Sequence, residues 1–191
     1  MNESIASTKP HTPLHDSNEC KRTGDLNNIV LSGFVIEGKH IPIEGDQYNK
    51  LMVKVSYLEP RSLVDTSNPL FHCRKVVHET AALDIMRTTP CGAYKWKSSF
   101  LHILSGKDIE EKIMLQGNVG DLLFSIYAVD KRTDQRHFIG QSLVQITTGK
   151  TRRTGQHYPL VLRDGITEIS SKACLRLETE VFLPERFRRM H

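Results

Sequence analysis

The feature that most constrains this chain is a succession of short β-rich runs separated by turn residues. Eight runs of six to eleven residues are rich in Val, Ile, Leu, Phe and Tyr, and clusters of Gly, Pro, Asn and Asp lie between them; the runs are 28–37, 51–58, 71–80, 94–104, 122–129, 138–147, 157–162 and 173–183. This rhythm is typical of antiparallel sandwiches and barrels rather than of alternating strands and helices. The sequence therefore predicts an all-β fold with one or two short helices in the connections, over 79–87 and 106–115.

The β-rich runs begin only after a polar N-terminal segment. Residues 1–25 contain Ser, Thr, Asn, Pro and His but few large apolar side chains, so this segment buries too little surface to offset the entropy of ordering it. The last run ends at 183, and three Arg residues follow it. We therefore predict a disordered polar tail over 1–25, one β-sandwich domain over 26–184 and a short basic C-terminal tail over 185–191.

Composition narrows the class of protein further. The chain of 191 residues is 38% hydrophobic and 25% charged, as expected of one soluble domain. It has neither an apolar run of the ~20 residues that span a bilayer nor the apolar stretch of a secretory signal. The four Cys residues are widely spaced, which favours free thiols in a reducing compartment. We therefore expect a cytoplasmic protein.

Motifs for catalysis, cofactors and metals are missing from the sequence. It has no phosphate-binding GxxxxGK[ST] or GxGxxG, no GxSxG and no HExxH, and its Cys and His residues lack metal-ligand spacing. Basic segments carry little aromatic interleaving, which disfavours nucleic-acid binding. The sequence therefore predicts a protein that is not an enzyme and that needs no cofactor or metal.

In their order, the β-rich segments resemble a C2 domain. The matching segments are Val35–Pro42 (a first strand and its exit), Gly45–Tyr48 (similar to S-D-P-Y), Arg74–His78 (a third strand), Pro90 with Trp96–Phe100 (similar to N-P-x-W-N-E-x-F), Asp121–Gly140 (ending in F-I-G) and Tyr158–Leu160 (similar to W-x-P-L). The resemblance covers about 26–184 and departs from the family in a longer connection over 81–92. It implies an eight-stranded antiparallel β-sandwich of the kind that many membrane-docking proteins contain.

Many C2 domains bind Ca²⁺ with about five Asp carboxylates from loops at one end of the sandwich, and the resemblance implies that this set is depleted here. Asp46 and Asp130 match two acidic positions and Asp134 is offset from a third, whereas the remaining positions fall on Ala128, Arg136 and His137. Because Ca²⁺ needs several hard oxygen ligands, we predict no tight Ca²⁺ binding. Asp46 and Asp130 then serve in turn formation.

Two basic surfaces are candidates for binding anionic lipid. The resemblance implies a basic groove on the concave face of the sheet, and a dense basic loop follows at 149–155; the candidates are Lys50, Lys54, Arg74, Lys95 and Lys97 in the groove and Lys150, Arg152 and Arg153 in the loop. The same residues also suit ordinary solvated faces. The chain carries 26 Lys and Arg against 22 Asp and Glu, a mild excess that permits contact with phosphate-bearing surfaces.

These observations predict a non-catalytic C2-like module. It would act in the cytoplasm, at the face of a membrane or on the cytoskeleton, binding anionic phospholipid or a protein partner without tight Ca²⁺ binding. The alternative is a structural or assembly scaffold, of cytoskeletal, ciliary or viral matrix type, that uses the sandwich purely for protein–protein contacts.

Overall fold

The computed structural model describes residues 28–60, 74–87, 92–105 and 107–188, so the predicted tail over 1–25 lies outside the described residues. The described residues form two antiparallel sheets that pack face to face. Sheet A has the strand order β5-β1-β9-β8, and sheet B has the order β3-β2-β6-β7, with a short β4 paired to β2. The strands are β1 (Ile29–Lys39), β2 (Tyr48–Leu58), β3 (Arg74–Glu79), β4 (Leu83–Asp84), β5 (Ala93–Leu104), β6 (Asn118–Asp130), β7 (Arg136–Thr147), β8 (Arg152–Pro159) and β9 (Cys174–Phe182).

Alternation of apolar and polar side chains positions the strands of sheet A. In β9, Leu175, Leu177 and Val181 are buried, whereas Arg176 and Glu178 between them reach the surface. Successive side chains of a strand point to opposite faces, so the apolar set lies on the core and the charged set on the outer face. Sheet A therefore has one dry face and one solvated face.

The core lies where the inner faces of the two sheets meet. Phe100 of β5 packs edge-on against Phe124 of β6, with ring centroids 6.0 Å apart. The buried Tyr57 hydroxyl donates a hydrogen bond to the carbonyl oxygen of Val119 at 2.7 Å, which satisfies it. At the edge of the sandwich, His78 Nε2 of β3 lies 2.7 Å from Ser98 Oγ of β5 and joins the two sheets.

All eight predicted β-rich runs contain a strand, and one of the two predicted helices is present. The helix expected over 106–115 is α1 (Lys107–Gln116). The helix expected over 79–87 is wrong, because this segment holds the end of β3, β4 and a single 3₁₀ turn, Ile85–Arg87. Pairing of Leu83 and Asp84 with the start of β2 supplies backbone hydrogen bonds that a helix of this length does not outweigh.

The folded domain continues beyond its predicted C-terminal boundary. Residues Glu185–Arg188 form a short helix, α2, and the side chain of Phe187 is only 2% exposed. Phe187 packs with Ile113 of α1 and Leu183 in the same core cluster. The prediction of a tail from residue 185 is therefore wrong for 185–188, because the aromatic ring among the arginines anchors the segment.

The strands connect at two ends of the sandwich. The loop end comprises 40–47, 80–87, 131–135 and 160–173, which follow β1, β3, β6 and β8. The opposite end comprises α1, α2 and the 148–151 turn between β7 and β8. Within the described ranges, no helix has the length and apolar character to cross a membrane.

Candidate binding surfaces

The structure brings two of the predicted Ca²⁺-loop residues onto adjacent loops. Tyr48, two residues after Asp46, pairs with Asp130 across β2 and β6. The Lys131 N–H donates to the carbonyl oxygen of Gln47 at 2.9 Å, which fixes the two loops to each other. The loop end therefore has the adjacency that a cation site built from two loops would need.

The Asp130 carboxylate is already engaged within its own loop. Its Oδ1 accepts hydrogen bonds from the backbone N–H groups of Arg132 at 2.8 Å and Thr133 at 2.9 Å. These bonds hold the pKa of Asp130 below its usual range because they stabilise the charged form. This is the turn-forming arrangement expected of an Asp in a tight loop.

Three of the remaining predicted loop positions, Ala128, Arg136 and His137, carry no carboxylate. The Ala128 methyl is fully buried in the core. Arg136 makes two contacts with the Glu79 carboxylate, at 3.0 and 3.1 Å, and the His137 ring lies 5.3 Å from that of Tyr48. Asp134 sits at a left-handed φ of 54° at the tip of the turn.

Among residues 28–60, 74–87, 92–105 and 107–188, no three His, Cys, Asp or Glu side chains are grouped so that they could hold a metal ion.

The charge of the loop end is mixed rather than basic. By sequence, the loop end has six acidic residues, Glu44, Asp46, Asp84, Asp134, Asp164 and Glu168, against five basic ones, Arg87, Lys131, Arg132, Arg163 and Lys172. The positive charge of the 131–135 loop is therefore offset by the acidic residues of the neighbouring loops.

The predicted basic groove does not form one surface. Lys50 and Lys54 lie on β2 in sheet B, whereas Lys95 and Lys97 lie on β5 in sheet A. The prediction that they line one groove is wrong because the third and fourth long strands belong to different sheets. Arg74 begins β3 opposite Leu58, and its side chain lies outside the described set.

The sheet B lysines have acidic neighbours. Lys50 is directly opposite Asp84 of β4, and Lys54 is directly opposite Glu79 of β3. Directly opposed residues of an antiparallel pair share a face and lie close enough to interact. The acidic partners therefore offset much of the positive charge of this face.

Sheet A instead gathers four basic residues on its outer face. Lys95 of β5 and Arg176 of β9 are both in register with Glu37 of β1. Lys39 Nζ lies 3.3 Å and Arg176 Nη1 3.8 Å from Glu37 Oε1. Together with the exposed Lys97, these residues form the sheet A cationic cluster, which we define as Lys39, Lys95, Lys97 and Arg176.

Glu37 holds the cluster together. Its side chain is almost completely buried, so leaving the carboxylate charged without partners would cost several kcal/mol. The contacts with Lys39 and Arg176 supply those partners and fix the directions of two cations. With Lys95 beside it in the strand register, Glu37 has three cations around one carboxylate, so the cluster keeps a net positive charge.

Sequence reasoning identified only two members of this cluster. Lys39 and Arg176 were missed because each is isolated in the sequence, and only the strand order β5-β1-β9 brings them beside Lys95. The alternation of charged and apolar residues in 174–182 was the available signal, since it assigns Arg176 to a solvated face.

The predicted basic loop is largely a strand. Arg152 and Arg153 belong to β8 and pair with Glu180 and Thr179 of β9, so only Lys150 remains in the turn. Arg152 is exposed on the outer face beside Glu180, and Arg153 is half-buried. All three residues lie at the end of the sandwich opposite Asp46.

The comparisons with known proteins bear on the fold. No family model and no curated relative matches this chain. Among solved structures, the chain is similar to that of CC2D1B, described as coordinating ESCRT-III activity during the mitotic reformation of the nuclear envelope, with a TM-score of 0.57 and 14% identity over 88% of this chain. The chain spans 62% of the length of that structure. A C2 domain of plant extended synaptotagmin 1 follows, with a TM-score of 0.47 and 11% identity over 80% of this chain and 92% of that one.

Proposed function

From the premise that this chain has a C2-like fold, we propose that it is a non-catalytic module that binds anionic phospholipid membranes without requiring Ca²⁺. The observation that carries the proposal is the sheet A cationic cluster, in which Lys95 and Arg176 flank Glu37 in the strand register and Lys39 contacts the same carboxylate. Basic side chains near an anionic membrane surface contribute about 1 kcal/mol each. The protein then acts as a peripheral module at the cytoplasmic face of a membrane.

The arrangement of the loop end supports independence from Ca²⁺. A Ca²⁺ ion takes six to eight oxygen ligands, whereas Asp130 already accepts two backbone hydrogen bonds and position 128 carries a buried methyl. The neighbouring Lys131 and Arg132 add repulsion for a divalent cation. Membrane attachment through sheet A needs no ligand at this end.

Vesicle flotation tests the proposal with a matched pair of variants. Lys95→Gln/Lys97→Gln removes two charges from sheet A, and Lys131→Gln/Arg132→Gln removes two charges from the loop end. We expect the wild type to bind phosphatidylserine vesicles equally in Ca²⁺ and in a chelator, the sheet A variant to bind at least tenfold more weakly, and the loop variant to bind as the wild type does.

Two results would contradict the proposal. One is the absence of binding to any anionic vesicle at low salt. The other is binding that requires Ca²⁺ and that Asp46→Asn and Asp130→Asn abolish, because attachment would then depend on the loop carboxylates.

A second candidate function is a scaffold that binds another protein. Glu178 and Glu180 lie on the same outer face as the cationic cluster, and such mixed charge suits a protein surface. CC2D1B, which shares the fold, is described as coordinating ESCRT-III activity, an assembly role of the same general kind. A stoichiometric protein partner, recovered by pull-down and lost in Lys95→Gln/Lys97→Gln, together with no vesicle binding, would favour this candidate.

A further inference from the structure

The outer face of sheet A also carries a group of exposed apolar side chains. Phe34 is 47% exposed, Leu101 63%, Ile103 49% and Phe182 37%. Val30 lies between Ile103 and Phe182 in the strand register, so Val30 and these two residues form one row across β5, β1 and β9. Scattered exposed apolar residues need no explanation, but a contiguous set marks an interaction surface.

The apolar group continues directly into the cationic cluster along β5. Lys95, Leu101 and Ile103 are in register with Glu37, Ser32 and Val30 of β1, so these three side chains point to the outer face. Lys97 is exposed between them, at an irregularity where its φ is 50°. At about 3.3 Å per residue, the stripe from Lys95 to Ile103 is about 26 Å long. One half of it is cationic and the other half is apolar.

The acidic residues on the outer face of sheet A limit where an anionic surface can make contact with it. Glu178 and Glu180 lie on β9, two strands away from β5, which is about 10 Å at the usual strand spacing, although Glu178 is directly opposite Phe34 of β1. β5 is an edge strand of sheet A, so a contact centred on Leu101 and Ile103 leaves β9 at its margin. This geometry separates the acidic pair from an anionic surface pressed against β5.

We propose that the β5 side of sheet A is the membrane-contacting surface, with Leu101 and Ile103 inserted at the boundary between headgroups and acyl chains and with Lys95 and Lys97 on the lipid phosphates. The proposal rests on the proposed function and adds to it the docking orientation. An apolar stripe flanked by cations is the pattern of surfaces that lie in the membrane interface. Charge complementarity favours an anionic bilayer over a protein as the occupant, because the exposed charges on β5 are all basic.

The β5 stripe and the loop end offer matched variants. Leu101→Thr/Ile103→Thr removes the apolar part of the stripe and keeps residues that suit a strand. Leu162→Thr/Ile166→Thr removes two exposed aliphatic side chains from the loop end. With phosphatidylserine vesicles at physiological salt, we expect the β5 variant to bind at least tenfold more weakly, and the loop variant to bind within twofold of the wild type.

A second measurement does not depend on how well the β5 variant folds. Leu101→Trp and Ile166→Trp each place an indole at one of the two surfaces, against the background of the buried Trp96. In vesicles whose acyl chains are brominated, we expect strong quenching of the emission added by Leu101→Trp and almost none of that added by Ile166→Trp.

The outcomes separate this proposal from the proposed function. If the wild type binds no anionic vesicle, the proposed function itself fails. If the wild type binds and the quenching pattern is reversed, or the loop variant is the weaker binder, docking occurs through the loop end and the proposal is overturned. The proposal is also overturned if a folded β5 variant binds vesicles as well as the wild type does but no longer co-purifies with a protein that the wild type binds. The stripe would then be the site of a protein partner.

Discussion

At the residue scale, the outer face of sheet A depends on a close approach of backbones at Gly33. This residue lies in the middle of β1, directly before Phe34, and pairs with Thr179 of β9. A Cβ atom built on Gly33 would overlap the carbonyl oxygen of Glu178 and would lie 2.7 Å from Cζ of Phe100. Glycine therefore lets β1 pair with β9 while the Phe100 ring packs beneath.

Gly33→Ala should consequently lower the free energy of unfolding by about 1–3 kcal/mol, the usual cost of overpacking a well-packed interior. Gly149→Ala is the matched control, since a Cβ there meets no atom within 4 Å and we expect a change below about 0.5 kcal/mol. Urea unfolding monitored by circular dichroism measures both. Equal stability of the two variants would contradict the close packing described at Gly33.

At the element scale, α2 completes the core at the end of the sandwich opposite Asp46. Its four residues are too few to be stable as an isolated helix. The Phe187 ring supplies the stability by packing against residues of α1 and against Leu183. The segment is therefore part of the domain although its sequence is rich in arginine.

We expect Phe187→Ala to destabilise the domain by about 3–5 kcal/mol, as is usual for removing a buried Phe side chain. Phe34→Ala removes the same number of atoms from a half-exposed site and should cost less than about 1 kcal/mol. Thermal unfolding of the two variants compares the sites directly. Similar losses would mean that α2 contributes little to the core.

Much of the element level was predictable from the sequence, and the C2-like sandwich is confirmed. Period-two patterns and turn residues located the eight long strands, because alternation directly encodes a half-buried strand. The same reasoning gave a helix at 79–87 where β4 forms, and a loop at 152–153 where β8 begins, because both segments gain their structure from partners far away in the sequence.

The candidate site was predictable only in part, for the same reason. Lys95 and Lys97 were found because they are two residues apart, whereas Lys39 and Arg176 are 137 residues apart and meet only through sheet order. The prediction that Lys50 and Lys54 share a surface with Lys95 was wrong because the chain passes from sheet B to sheet A between β3 and β5. The lipid-binding roles of these residues stay predictions.

At the scale of the whole molecule, charge is distributed unevenly. The net charge is only +4, yet the loop end carries more acidic than basic residues, whereas the sheet A cationic cluster surrounds one buried carboxylate. A molecule with this distribution is oriented by an anionic surface, since sheet A is attracted more strongly than the loop end.

This distribution predicts a two-part dependence of membrane binding on salt. Raising NaCl from 0.1 M to 1 M shortens the Debye length from about 10 Å to about 3 Å, so the contribution of the cationic cluster should be largely lost. The contribution of Leu101 and Ile103 should persist, leaving weak binding that Leu101→Thr/Ile103→Thr removes. Vesicle sedimentation across this range measures both parts. Binding that does not change with salt would contradict an electrostatic contribution from sheet A.

The central position of β1 in sheet A has a consequence for how the protein is made. β1 pairs with β9, and Val30 meets Phe182, a residue that the ribosome adds about 150 codons later. At the usual rate of 5–20 residues per second, the interval is about 8–30 s. Throughout it, the nascent chain carries β1 with one side unpaired, so sheet A closes only after β9 has been synthesised. A chain truncated before β9 would leave that apolar edge exposed to chaperones and proteases.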